Sequence, residues 1–159
     1  RGVFDGGALG AGLRGAAGRY DFTVLDCPPS LNHLTLAALS AASGVLVPVQ
    51  ADFFSLEGLA QMREVLDRLR AGRGKPDLFG ILVTQVPAGE DAAEIRAEIE
   101  RFFPNALFQN AIGRDPAIAE CPSHGKSVFS YAPRSVGAYH SLRFVQEAIR
   151  RSTILEPVQ

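Results

Sequence analysis

Cysteine is scarce in this sequence, long apolar runs are missing and so are blocks of like charge, and each shortage removes a class of protein. The two cysteines, Cys27 and Cys121, stand far apart without C-x-x-C spacing in 159 residues. They suggest neither a zinc site nor a disulfide framework. No segment approaches the roughly 20 uninterrupted apolar residues of a membrane span, and no basic-then-apolar signal pattern opens the chain. The expected compartment is the cytoplasm. Net charge is −1, with 10 basic and 13 acidic side chains in residues 1–112 and 6 and 4 in residues 113–159. The mildly basic tail permits nucleic-acid contact without demanding it, because phosphate binding needs several cations on one face. Charge alone favours a solvated surface.

What is present reads as an ordinary globular chain with 47% hydrophobic and 21% charged residues, long enough for one core and therefore one domain or part of one. Short aliphatic and β-branched runs alternate with longer segments of helical period, the pattern of an α/β protein with a mostly parallel sheet flanked by helices. The strand candidates are Phe22 to Cys27, Val45 to Gln50, Leu78 to Thr84, Leu107 to Ile112 and Ser127 to Tyr131. Continuous apolar stretches such as Val45-Leu46-Val47 fit a sheet covered on both faces. A helix is expected over Leu34 to Ala42. Another begins at Ser55, with Leu56, Leu59, Met62, Leu66 and Leu69 as its stripe and Gly72 at its end. Ile95, Ile99, Phe102 and Phe103 mark a third. Ser135 precedes a last helix whose Ala138, Leu142, Val145 and Ile149 recur at core spacing.

Gly10-Ala11-Gly12-Leu13-Arg14-Gly15 matches G-x-G-x-x-G, but that fingerprint works only where a strand hands over to a helix. Here the glycines precede a strand candidate, so a weak helix or an irregular connection is the better reading. Tyr20 to Ser30 is more informative. Its apolar run ends in Asp26 and a Pro28-Pro29 break, and a carboxylate at the C-terminal end of a parallel strand faces the ligand crevice of an open α/β sheet. Asp26 could hold a water of a nucleotide-bound magnesium ion; equally, it could cap the next helix.

The residues then fall into a familiar order. Tyr20-Asp21-Phe22 through Asp26-Cys27-Pro28-Pro29-Ser30-Leu31 and on to Leu39 resembles the second switch of the ParA and Soj partition ATPases, a deviant P-loop NTPase family. Val45 to Gln50 with Ser55-Leu56-Glu57-Gly58-Leu59, Gly80 to Thr84, Ile112-Gly113-Arg114-Asp115 with Ala119-Glu120 and Gly125-Lys126, and Pro133 to Tyr139 are similar to later segments of that family in the same order. The resemblance implies ATP bound between two subunits, a homodimer coating DNA without sequence preference, and a ParB-type centromere-binding partner that stimulates hydrolysis on chromosome or plasmid DNA. It implies cytoplasmic, nucleoid-associated protein with no membrane anchor. It makes Asp26 the Walker B carboxylate on the magnesium side, with Pro28 and Pro29 in the switch. Thr84, Arg114 and Asp115 then lie near the nucleotide, and Arg134, Arg143, Arg150 and Arg151 are the candidates for DNA. Gly113 stands where the family usually has proline, Val86-Pro87-Ala88-Gly89 replaces a polar loop, and Cys121 replaces alanine.

Nothing in the sequence reads G-x-x-x-x-G-K-[ST] or K-G-G-x-x-K, and phosphoryl transfer depends on the amides, lysine and hydroxyl of such a loop. The strand-loop-helix unit carrying it takes about 30 residues. We therefore expect a single partial domain without its N-terminal P-loop unit: a Gly-rich connection over 1–19, an α/β core over 20–151 and a tail over 152–159. Such a chain is expected to be inactive by itself and to oligomerise through its exposed sheet edge. The alternatives are a non-catalytic interaction module with this fold and a MinD-like positioning ATPase. For the latter, the tail supplies no amphipathic membrane helix.

Overall fold

The structure, a computed structural model, describes residues 6–15, 19–28, 30–51, 55–73, 76–89 and 92–152. The described residues within Arg1–Val45 and Arg63–Asp77 form one unit, and those within Leu46–Met62 and Leu78–Ile154 form a second.

In the first unit the glycine-rich stretch is helical. Helix α1, Gly6–Arg14, contains most of the G-x-G-x-x-G match and packs on α2, His33–Ala41. Glycine and alanine give α1 little side-chain surface, so contact with α2 must offset the entropy cost of its glycines. Helix α2 starts where the sequence predicts, and its cap is Asn32. The Asn32 side chain accepts from the N–H groups of Leu34 and Thr35, both at 3.0 Å, two of the donors that a helix start leaves without partners. The Thr35 hydroxyl donates to the Ser30 carbonyl at 2.7 Å. The run from Phe22 to Cys27 does not form the expected strand. It is irregular, and Phe22 and Val24 are 58% and 88% exposed. A strand is held by a neighbour that takes up its N–H and C=O groups. Among the described residues, no ladder reaches this run.

Three strands form a sheet in the order β1-β2-β3: Gly44–Gln50, Asp77–Val86 and Ile112–Gly113. The strands are parallel, with helices α3, Ser55–Arg73, and α4, Ala93–Phe102, as the crossovers. Ile81, Leu82 and Val83 are buried in succession in β2, as a central strand covered on both faces requires. Strand β1 departs from that expectation. Val45, Val47 and Val49 turn inward while Leu46, Pro48 and Gln50 are exposed, the alternation of an edge strand, where Pro48 costs no ladder bond. The expected strand over Leu107 to Ile112 shrinks to an isolated bridge from Ile81 to Leu107 and the two-residue β3. Val49, Ile81, Val83, Val86, Ile99 and Leu107 form the core.

Beyond β3 the chain is helical: α5, Pro116–Glu120, a 3-10 turn at Cys121–His124, α6, Val128–Tyr131, and α7, Val136–Ser152. The expected strand at Ser127 to Tyr131 is thus a single helical turn. Ser127 is its N-cap and accepts from the Ser130 N–H at 3.3 Å, a local bond that competes with extended structure. Helix α7 meets its expected stripe at Ala138, which is buried with Cys121 and Val128, and departs from it at Leu142, Val145 and Ile149, which face outward, while Gly137 and Glu147 are buried.

Candidate functional site

The structure brings Thr84, Arg114 and Asp115 to one end of the second unit. Thr84 pairs in register with Ile112, and the Arg114 N–H donates to the Val86 carbonyl at 2.8 Å. All three therefore sit at the C-terminal ends of β2 and β3, the side on which open parallel sheets bind ligands. The Thr84 hydroxyl donates to the Val49 carbonyl at 3.2 Å and is half-buried. The Arg114 side chain is exposed.

Asp115 has a definite structural occupation. One carboxylate oxygen accepts from the Ala117 N–H at 2.8 Å and the other from the Gly137 N–H at 2.6 Å. It thereby caps α5, with Pro116 at the first helical position as sterics favour, and ties the start of α7 to the same carboxylate. Those two backbone bonds, Gly137 first, hold the Asp115 carboxyl below its usual range, with smaller help from Ser135 and His140 against the opposing effect of burial. Close by, His140 Nδ1 accepts from the Gly113 N–H at 3.1 Å.

Asp26 belongs to the first unit. Its side chain is exposed, and Asn32, not Asp26, caps the helix that follows, which removes the capping role the sequence left open. An exposed carboxylate suits a magnesium ion that keeps most of its waters. Among the described residues, no group of three or more His, Cys, Asp or Glu side chains could ligate a metal directly. Pro28 is exposed and Pro29 lies outside the described residues.

The four arginines separate into two kinds. Arg134, Arg143 and Arg150 are exposed, the last two on one side of α7. Arg151 is turned inward. It pairs with Glu147 at 2.8 Å, donates to the Leu107 carbonyl at 2.6 Å and lies 4.2 Å over the Phe108 ring. Glu147 also accepts from the N–H groups of Gln109 and Asn110 at 2.9 and 3.0 Å and from the Asn110 side chain at 2.7 Å. Burial alone would raise the Glu147 carboxyl. The bonds from Gln109 and Asn110, with the Arg151 charge, outweigh it and bring the group below its usual range. Sequence reasoning missed this cluster; the i,i+4 spacing of Glu147 and Arg151 was its one visible trace.

A family model described as an AAA domain matches residues 7–78. The chromosome partitioning protein ParA of Myxococcus xanthus is 37% identical over 148 residues, spanning 91% of this chain and 52% of that protein. The chromosome-partitioning ATPase Soj of Thermus thermophilus is 42% identical over 134 residues, spanning 83% of this chain and 54% of its own length. The chain resembles the ParA and Soj partition proteins over most of its length. It spans about half the length of these relatives. Among solved structures, cobyrinic acid a,c-diamide synthase from Mycobacterium smegmatis, with bound ATP analogue and magnesium, superposes with a TM-score of 0.76 at 23% identity, covering 96% of this chain and 56% of the other. The cell division ATPase MinD of Pyrococcus furiosus gives 0.73 at 21% identity, covering 92% and 59%. Likenesses this remote establish a shared fold. Among the described residues, no helix is long and apolar enough to cross a membrane.

Proposed function

We propose that this chain is the switch-bearing and base-side part of a ParA-type partition ATPase. In that reading the whole protein binds ATP and magnesium, dimerises on DNA in the cytoplasm at the nucleoid, and is stimulated by a ParB-type partner to move chromosome or plasmid DNA. The observation that carries it is the match of 37% to 42% identity to ParA and Soj over 83% to 91% of the chain. Asp26 holds the magnesium ion through its waters. Pro28 and Pro29 stiffen the exit of the switch, and Thr84, Arg114 and Asp115 border the nucleotide. Arg134, Arg143 and Arg150 offer charge to DNA phosphates; Arg151 could do so only by giving up Glu147. ATP chemistry additionally needs a glycine-lysine loop, which these 159 residues do not contain.

The test joins this chain to the portion of the Thermus Soj protein outside the alignment, replacing the aligned portion. The hybrid should hydrolyse ATP, and Asp26→Asn should reduce the rate by about a hundredfold or more, as loss of a charge-positioning group does. A folded hybrid that neither binds nor hydrolyses ATP, or that is indifferent to Asp26→Asn, sinks the reading.

A further inference from the structure

Strand β3 is held on one side by a strand and on the other by a single side chain. It is two residues long, and its ladder with β2 carries a register shift between Thr84 and Val86. So short and irregular a ladder fixes the chain beyond it weakly. Successive amides of a strand point to opposite sides. The Arg114 N–H turns to the Val86 carbonyl of β2 at 2.8 Å, and the Gly113 N–H turns the other way. On that side, among the described residues, no further strand lies. An open edge leaves such a donor to water or to another chain. Here His140 Nδ1 on α7 accepts it at 3.1 Å. Glycine lets the ring come this close, because a Cβ at 113 would meet both Cε1 and Nδ1 of His140 at 3.2 Å. A second bond runs in the opposite direction, from the Gly137 N–H at the start of α7 to Asp115 at 2.6 Å. Arg114 is thus bracketed by two ties to one helix, one from each of its neighbours in the chain.

The first tie depends on the state of the ring. Because Nδ1 accepts, the imidazole in this arrangement is neutral and carries its proton on Nε2. A proton on Nδ1 would set two donors against each other and release the Gly113 N–H. On the elements packed against this end of α7, the charged or titratable groups are Arg114 and Asp115 after β3, Glu120 on α5 and Tyr131 on α6, with Arg143 and Glu147 on α7 itself. Glu120 and Tyr131 bond each other at 3.0 Å, and Glu147 pairs with Arg151. The Arg114 and Arg143 side chains are exposed. Asp115 interacts electrostatically with His140. A charged ring is therefore drawn towards the carboxylate that holds Gly137, so one proton disturbs both ties.

We propose that His140 is a positioning residue for the nucleotide side: neutral, it latches α7 to the end of β3 and sets where Arg114 and Asp115 stand, and protonated, it lets that corner loosen. The positioning role rests on the reading of Arg114 and Asp115 as a border of the nucleotide. The latch itself does not.

The latch is tested in this chain without nucleotide, by nitrogen NMR of the histidine rings and by hydrogen exchange at the Gly113 amide, expressed as protection relative to the unstructured rate. His140 should show the Nε2–H tautomer at about pH 8, and Gly113 protection should fall as pH is lowered to about 5.5, the range over which imidazoles gain charge. His140→Ala should lower that protection by about fivefold or more at the higher pH, the worth of one hydrogen bond. His140→Asn offers an uncharged acceptor near the place of Nδ1, so it should restore protection and remove its pH dependence. The positioning role is tested in the Thermus hybrid described above. There His140→Ala should raise the KM for ATP by about threefold or more with a smaller effect on kcat, as loss of a binding geometry does. His140→Asn should bring KM back and flatten its rise between the two pH values. Gly113 protection that ignores both pH and His140→Ala overturns the latch, and the pH series alone decides this if His140→Ala does not fold. A working latch in an active hybrid whose KM is indifferent to His140→Ala overturns the positioning role and leaves a structural tie. A folded hybrid without ATPase activity defeats the partition-ATPase reading and the positioning role with it, while Gly113 protection still decides the latch.

Discussion

Glu147 carries more of this structure than any residue the sequence marked as functional. It accepts three hydrogen bonds from Gln109 and Asn110 and holds Arg151 in place. Glu147→Ala would strand the two backbone donors and leave the Arg151 charge without its partner, so it should destabilise the fold by about 2–4 kcal/mol in urea titrations at neutral pH. The carboxyls of Glu147 and Asp115 both lie below their ordinary values in the folded state. The stability they contribute is therefore present above the usual carboxylate range and is lost as pH falls through their folded values. Glu147→Gln should flatten the acid limb of a stability-versus-pH curve; an unchanged limb would show that the cluster does not set it. Gly80 is the other tight point. A Cβ there would run into the Phe108 ring and approach the Ala106 carbonyl oxygen to 3.0 Å. Phe108 cannot yield, being wedged between Phe79 and Phe144. Gly80→Ala should cost about 1–3 kcal/mol by the same measurement. Gly113 accounts for one departure from the family pattern: proline would remove the N–H that reaches His140.

At the scale of elements, α7 shows how periodicity misleads when a helix is apolar on two sides. Ala138, Leu142, Val145 and Ile149 have the right spacing for a core stripe, yet of these only Ala138 is buried, and over the rest of the helix the inward side is set by Phe144, Glu147 and Arg151, whose polar members hide their destination. The two faces should respond differently to substitution in this chain alone. Leu142→Lys should shift stability by no more than about 0.5 kcal/mol, the range of exposed positions. Phe144→Ala should cost about 2–4 kcal/mol, as lost ring packing does. Similar costs at both positions in chemical denaturation would contradict the assignment of faces. Strand β1 carries a parallel lesson. Its unbroken valine and leucine run suggested burial on both sides, but an edge position leaves Leu46 and Pro48 outside.

For the molecule as a whole, the fold class and the resemblance to ParA and Soj were written in the order of segments, and they hold across nearly the whole chain. ATP affinity is the property most sensitive to what this chain does not contain. Calorimetry on these 159 residues alone should detect no micromolar ATP binding, because phosphate is gripped chiefly by the amides and lysine of a loop; such binding would defeat the expectation. If the arginines of the C-terminal part meet DNA, binding should fall steeply with salt as counterions are released. Arg134→Glu should then reduce both the affinity and the salt slope in anisotropy titrations.

Sequence by itself determined the helix start at Ser135, the apolar run of β2 and the resemblance to ParA and Soj, because caps, β-branched runs and ordered motifs are local signals, whereas the Asn32 cap of α2 emerged only from the structure. Tertiary structure alone decided that Phe22 to Cys27 is no strand, that Ser127 to Tyr131 is a turn of helix, and that α7 shows Leu142 and Ile149 to solvent. Each of those outcomes depends on which neighbour supplies hydrogen bonds or covers a face, and a residue's own neighbours in the sequence do not carry that information.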